Sequence, residues 1–167
     1  MKKKLYIETS VWNQLEHSDR QDWRETAEQF CRAIHAGHYE AYISDVVIDE
    51  ILATKDMERQ NKLSAHINRV QPVVLEFDEE AAALTRKYIS TEFGGKVSQN
   101  VYRDCSHVAI ATVKGIKHII SFNCRHLVND RRIDGFNAIN LQNGYDLLID
   151  ITTPHKFIIT SEHEEYL

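Results

Sequence analysis

DCSHVAIATVKGIKHIISFNCRHLVN, residues 104–129, is the stretch that decides the fold. Its first half continues a helix predicted from about Val101 to Lys114 and stopped at Gly115, a position where a left-handed cap favours glycine. KHIIS (117–121) follows at once as a short apolar strand, and Cys124 to Val128 read as a further short helix. A helix that turns through one glycine into a buried strand is half of a βαβ unit.

The same alternation extends upstream. Leu5 to Ile7 form an apolar run ending in Glu8, Thr9 and Ser10, with Ser10 as the expected cap of a short helix carrying Val11 and Trp12. Trp23, Ala27, Phe30, Cys31 and Ile34 recur at helical spacing between Asp19 and His38. Ala41 to Ser44 predict a second strand, which feeds a helix with Val47, Ile48, Ile51 and Leu52 on its buried stripe. A more polar helix is expected over about 56–67, a third strand over Val73 to Phe77, and a helix capped by Asp78 with Ala81, Leu84 and Tyr88 on one face. TEFGGKVSQN (91–100) reads as a loop, and one more strand is expected near Leu147 to Ile151, before the break at Pro154. Strands alternating with helices predict an α/β fold, with a central, mostly parallel sheet covered on both faces. A ligand site in such a sheet belongs at the carboxyl ends of its strands.

The 167 residues suit one domain over 1–167, large enough to bury a core without disulfides. Apolar residues at 43% and charged residues at 27% exclude disordered and collagenous classes. No segment approaches the run of about 18 apolar residues that a membrane span needs, and no signal-peptide stretch follows the basic start, so a cytoplasmic protein without membrane contact is expected. Three cysteines suggest no disulfide framework. Cys105/His107 and Cys124/His126 have the look of half zinc sites, but residues two apart on a helix face different ways. A net charge of -5 argues against unspecific binding of long duplex, while leaving room for local cationic patches.

Three carboxylates stand where the topology places a site: Glu8 after the first strand, Glu50 in an otherwise apolar helix, and Asp104 in what is read as the first turn of its helix. Each alone is an ordinary surface acid. Together they would repel one another unless a cation offset their charge, and Mg²⁺ or Mn²⁺ takes such oxygen ligands. His107, one turn after Asp104, reads as a partly buried histidine with one hydrogen bond.

LYIETSVWN (5–13), ISDVVIDEI (43–51) and the 104–129 stretch, with NLQNGYDLLIDITTP (140–154), resemble the conserved blocks of PIN domains, nearest to the VapC-like ribonucleases of type II toxin–antitoxin systems. The most specific block is the aspartate, the histidine three residues on, the alanine-rich helix, the glycine turn, the strand, and then S-x-N-x-x-H-L. The resemblance implies a three-layer α/β/α PIN-like fold and a Mg²⁺- or Mn²⁺-dependent endoribonuclease. It implies Glu8, Glu50 and Asp104 as metal ligands, Asn123 as a fourth catalytic position, and Ser10 and Ser121 as supports, with Thr9 beside Ser10. It also implies RNA as substrate, a homodimer and a cognate antitoxin. Position 8 departs from the family, which usually carries aspartate there; the extra methylene of Glu8 moves its carboxylate further from the backbone. Substrate contacts are expected from Lys96, Arg103 and Arg125, with His126 beside them and Lys55, Arg59 and Lys62 as an outer rim. Trp12, Trp23, Phe30 and Phe93 are candidates either for partner surfaces or for the core. The competing expectations are a catalytically silent PIN fold that binds protein or RNA, and a PIN nuclease outside any toxin pair.

Overall fold

The structure is a computed structural model describing residues 1–159. The domain expected over 1–167 extends beyond it into 160–167, which lie outside the described residues. Five parallel strands, β1 (Lys3–Ile7), β2 (Tyr39–Ser44), β3 (Val73–Leu75), β4 (His118–Ile120) and β5 (Asp150–Thr152), form one sheet in the order β3-β2-β1-β4-β5. Leu5 of the central strand lies opposite Ala41 on one side and His118 on the other.

Helices α1 (Thr9–Gln14) and α2 (Gln21–His35) connect β1 to β2, and α3 (Asp45–Leu52) and α4 (Met57–Val70) connect β2 to β3. The chain then returns past β1 through α5 (Glu79–Glu92) and α6 (Gln99–Val113) to β4, and α7 (Asp130–Gln142) leads to β5. Crossovers between parallel strands are right-handed, so reversing the winding direction moves the later helices to the opposite face. The core divides accordingly. Leu5, Ile7, Ile43 and Ile120 pack with Trp12, Phe30, Val47 and Leu63 on the α1–α4 side. Tyr6, Ile119 and Ile151 pack with Tyr88, Val108 and Phe136 on the other. Alternation of side chains along β1 and β4 requires this split, and each fully buried large apolar side chain contributes about 1.5–3 kcal/mol. The three-layer α/β/α architecture expected from sequence is the one observed.

Several local expectations change. Ser10 does not cap α1; the Glu8 side chain does, accepting the Ser10 N–H. Helix α6 starts at Gln99 with Ser98 as its cap, so Asp104 sits in the second turn rather than the first, and Gln99 and Asn100 belong to the helix rather than the loop. Residues 124–128 make hydrogen-bonded turns, not a helix, with both Leu127 and Val128 donating to the Asn123 carbonyl. Helix α7 has no counterpart in the sequence reading. Its buried face includes Asn140, whose amide donates to Thr112 Oγ1 and accepts from the Tyr88 hydroxyl, so one core position carries a polar residue. Trp12 and Phe30 are core and carry no partner surface, whereas Trp23 and Phe93 are partly buried. Gly115 ends α6 at a φ of 72°, as its position after the helix requires.

Candidate active site

The winding reverses between β1 and β4, and a crevice opens at their carboxyl ends. A cleft of about 330 Å³ lies there, bounded by Glu8, Thr9, Ser10, Asn13, Glu50, Ser98, Asn100, Val101, Arg103, Asp104, Asn123 and His126. Four separate chain segments supply its acids and amide: the end of β1, helix α3, helix α6 and the turn after β4.

Glu8 is 4% exposed and folded back on its own backbone. One carboxylate oxygen, Oε2, accepts the Ser10 N–H at 3.1 Å, the Ser10 hydroxyl, and the Ser121 hydroxyl at 2.7 Å. Ser10 Oγ in turn accepts the Phe122 N–H at 2.9 Å, and Ser121 Oγ accepts the Asn123 N–H at 2.9 Å. The two strand ends are thereby stitched around a single oxygen. Glu50 Oε1 accepts from His107 Nε2 at 2.7 Å. The buried Thr9 hydroxyl, which has no partner in hydrogen-bonding geometry among the described residues, lies close enough to Glu50 to favour its charged form. Asn123 donates to Asp104 Oδ2 at 3.3 Å, while its amide oxygen accepts the His126 N–H and holds the turn.

The three carboxylates feel one another. Burial, and then the charges of Glu8 and Glu50, push the Asp104 carboxyl up to about 7. Glu50 moves the other way: burial opposes its ionisation, but the His107 hydrogen bond and charge outweigh that and hold it below the usual carboxylate range. His107 is fully buried and makes two hydrogen bonds, from Nε2 to Glu50 and between Nδ1 and the Tyr6 hydroxyl, where the sequence suggested partial burial and one bond.

No family model matches this chain, and no curated protein matches its sequence. Among solved structures it is similar to VapBC2 from Rickettsia felis bound to a DNA fragment from the promoter, at 12% identity and a TM-score of 0.50, covering 89% of this chain and 98% of that one. It is also similar to VapBC-5 from Mycobacterium tuberculosis, a member of the VapBC family of toxin–antitoxin systems, at 14% identity and a TM-score of 0.47, covering 90% and 98%. At these identities the likeness is one of fold. The fold is PIN-like.

Within this PIN-like fold, Glu8, Ser10, Glu50, Arg103, Asp104 and Asn123 all border the cleft, and Ser121 is bonded to Glu8 just beneath it. Lys96 and Arg125 do not border it: Lys96 lines a separate hollow between α5 and α6, and Arg125 is exposed on the turn after β4. Arg59 is no free rim cation either, since its guanidinium donates to the Glu16 and Asn13 carbonyls and closes the end of α1. Sequence reading missed Asn13, Ser98 and Asn100 as cleft residues. The Ser-x-Asn spacing ahead of an apolar helix is a capping signal that brings Ser98 and Asn100 to the same end of α6; nothing local marks Asn13.

The donor set suits a hard divalent cation. All its charged groups are carboxylates, and of the causes that raise the Asp104 carboxyl, burial first and then the charges of Glu8 and Glu50, the second is the one a cation would offset. Among the described residues no group of three His, Cys, Asp or Glu side chains stands ready to hold a metal ion. An open site, with one or two carboxylates and the remaining positions filled by water, is how Mg²⁺ is usually held.

Proposed function

We propose that this protein is a metal-dependent endoribonuclease that hydrolyses RNA phosphodiester bonds, and that it is the toxin of a toxin–antitoxin pair. The observation that carries the reading is the meeting of Glu8, Glu50, Asp104 and Asn123 in one cleft at the switch point of a parallel sheet.

Glu8, Glu50 and Asp104 would hold Mg²⁺ or Mn²⁺, which when bound acidifies water and offsets charge on the reacting phosphate. The chain's own part is positional. Ser10 and Ser121 fix one oxygen of Glu8 and leave the other free, His107 fixes one oxygen of Glu50, and Asn123 steadies Asp104. Arg103 at the cleft edge offers a guanidinium to a phosphate oxygen. The Asp104 carboxyl would give up its proton as a cation binds, because the ionised form is the ligand. Hydrolysis by water needs no covalent nucleophile from the protein.

The same reading includes a protein antitoxin covering the cleft and a homodimeric toxin. A second reading, a silent PIN fold that binds RNA or protein, draws on the lack of a ready-made three-residue metal group among the described residues. One experiment separates them. The protein and its Asp104→Asn variant are incubated with structured RNAs in Mg²⁺, in Mn²⁺ and in chelator. Discrete cuts that need the ion and vanish in the variant support the nuclease. No cutting with either ion, together with no heat of metal binding, leaves the binding module.

A further inference from the structure

Beneath the cleft lies a hydrogen-bonded chain of buried polar groups that the proposed reaction does not itself consume. Ser44 and Tyr6 are fully buried, and His107 is 1% exposed. The Tyr6 hydroxyl is 2.7 Å from Ser44 Oγ and 2.7 Å from His107 Nδ1, and His107 Nε2 is 2.7 Å from Glu50 Oε1. Ser44 also accepts the Val47 N–H, which caps α3, the helix that carries Glu50. The chain therefore begins at the cap of α3, where β2 ends, and finishes on α3 itself, and between those ends it passes through β1 two residues before Glu8 and through α6 three residues after Asp104. Every element that carries a cleft carboxylate is tied to the others by it.

The proton count fixes the direction of its last link. Glu50 as a carboxylate only accepts, so His107 Nε2 must carry a hydrogen and donate it. The rest follows in either of two ways: Ser44 donates to Tyr6 and Tyr6 to His107 Nδ1, or the reverse with the imidazole doubly protonated. Both leave Nε2–H aimed at the same Glu50 oxygen, so the aim does not depend on the charge of the ring. A core histidine needing only satisfaction would be served by any carbonyl; this one is clamped at one nitrogen so that the other meets a cleft carboxylate.

We propose that His107, oriented by Tyr6 and Ser44, is a positioning residue that presents Glu50 to a divalent cation. The claim rests on the reading of the cleft as a cation site. Groups that orient a metal ligand from behind commonly change metal affinity by about 10–100-fold when removed.

The test uses Mn²⁺ alone, without RNA. Its dissociation constant is measured by calorimetry and by the electron spin resonance signal of free Mn²⁺, for the wild type and for Tyr6→Phe, His107→Gln and His107→Leu. Circular dichroism and thermal melts of each variant are recorded alongside. Glutamine places an amide N–H near where Nε2–H stood but loses the Tyr6 contact; leucine keeps bulk and loses both. The expected result is weakening by about 10-fold or more for His107→Leu, recovery towards wild type for His107→Gln, and an intermediate loss for Tyr6→Phe. Affinity should follow the donor to Glu50 and not the melting temperature, because His107→Gln breaks the buried chain as surely as Tyr6→Phe does. If His107→Leu fails to fold, Tyr6→Phe decides, since it keeps the donor to Glu50 and removes only its clamp: Mn²⁺ binding weaker than wild type supports the positioning role, and wild-type affinity overturns it. Equal Mn²⁺ affinity across the folded variants overturns the positioning role and leaves the cation site standing. A wild type that binds no Mn²⁺ overturns both.

Discussion

Ser121 donates a 2.7 Å hydrogen bond to Glu8 across 113 positions of sequence, joining the carboxyl ends of two neighbouring parallel strands. The same Glu8 oxygen takes the N–H and hydroxyl of Ser10. The extra methylene of glutamate is thus absorbed by a side chain that curls back to cap α1, and not by a carboxylate that reaches out into the cleft. Ser121→Ala removes one of the donors from a buried carboxylate and strips the Asn123 N–H of its acceptor. A loss of about 1–3 kcal/mol in urea unfolding is expected, with weaker Mn²⁺ binding. Unchanged stability would mean that the stitch between the strands carries no energy.

The Asp104 carboxyl, pushed up to about 7, makes the metal-free protein sensitive to pH. Its pKa is higher folded than unfolded, so the unfolded chain ionises first. The stability present below about pH 4, the usual carboxylate value, is lost progressively as pH rises through 7. In chelator, Asp104→Asn should therefore gain on the wild type between pH 5 and pH 8, as read from denaturation midpoints. A constant difference across that range would contradict the raised value.

A divalent cation acts on the same equilibrium from the other side, since it favours the ionised form. At pH 7.5, Mn²⁺ at about 100 times its dissociation constant should stabilise the folded protein by about 2.7 kcal/mol, with release of a fraction of a proton, larger at lower pH, detectable in buffers of different ionisation enthalpy. Asp104→Asn should abolish the proton release.

Glu8 is the first charge, after burial, that raises Asp104. Glu8→Gln removes it and should bring the Asp104 carboxyl down towards its ordinary value, as read from its side-chain ¹³C shift against pH. An unmoved titration would place the two groups too far apart to share a cation.

Of the cations named from sequence as substrate contacts, only Arg103 borders the cleft, with His126 beside it. Arg103→Ala should weaken binding of single-stranded RNA and lower the salt dependence by about 0.7 in log–log slope, the value for one phosphate contact. Lys96→Ala and Arg125→Ala should leave the slope as it was. Arg59→Ala should cost about 1 kcal/mol of stability, since its guanidinium holds the Asn13 carbonyl of α1 and the Glu16 carbonyl just after it, and should not change the slope.

Sequence alone determined the elements whose signals are local. The apolar runs at Leu5–Ile7, Ala41–Ser44 and 117–121, the helical spacing of Trp23 to Ile34, and the glycine after α6 each report a backbone preference that needs only near neighbours. From their alternation the parallel, three-layer architecture follows, because helical crossovers bury both faces of the sheet. Helix α7 stayed hidden, as its inward face carries Asn140, a polar core residue satisfied by Tyr88 and Thr112 from two other helices. The tertiary structure also decided which of the named residues meet. Glu8, Glu50, Asp104 and Asn123 carry no mark of their mutual distance in the sequence. That distance depends on the reversal of winding between β1 and β4, a property of the strand order as a whole. The same reversal leaves Lys96 and Arg125 outside the cleft and brings Asn13, Ser98 and Asn100 to its wall. The raised Asp104 carboxyl and the fixed aim of His107 exist only in that assembled state, where burial removes the water that would otherwise screen and solvate them.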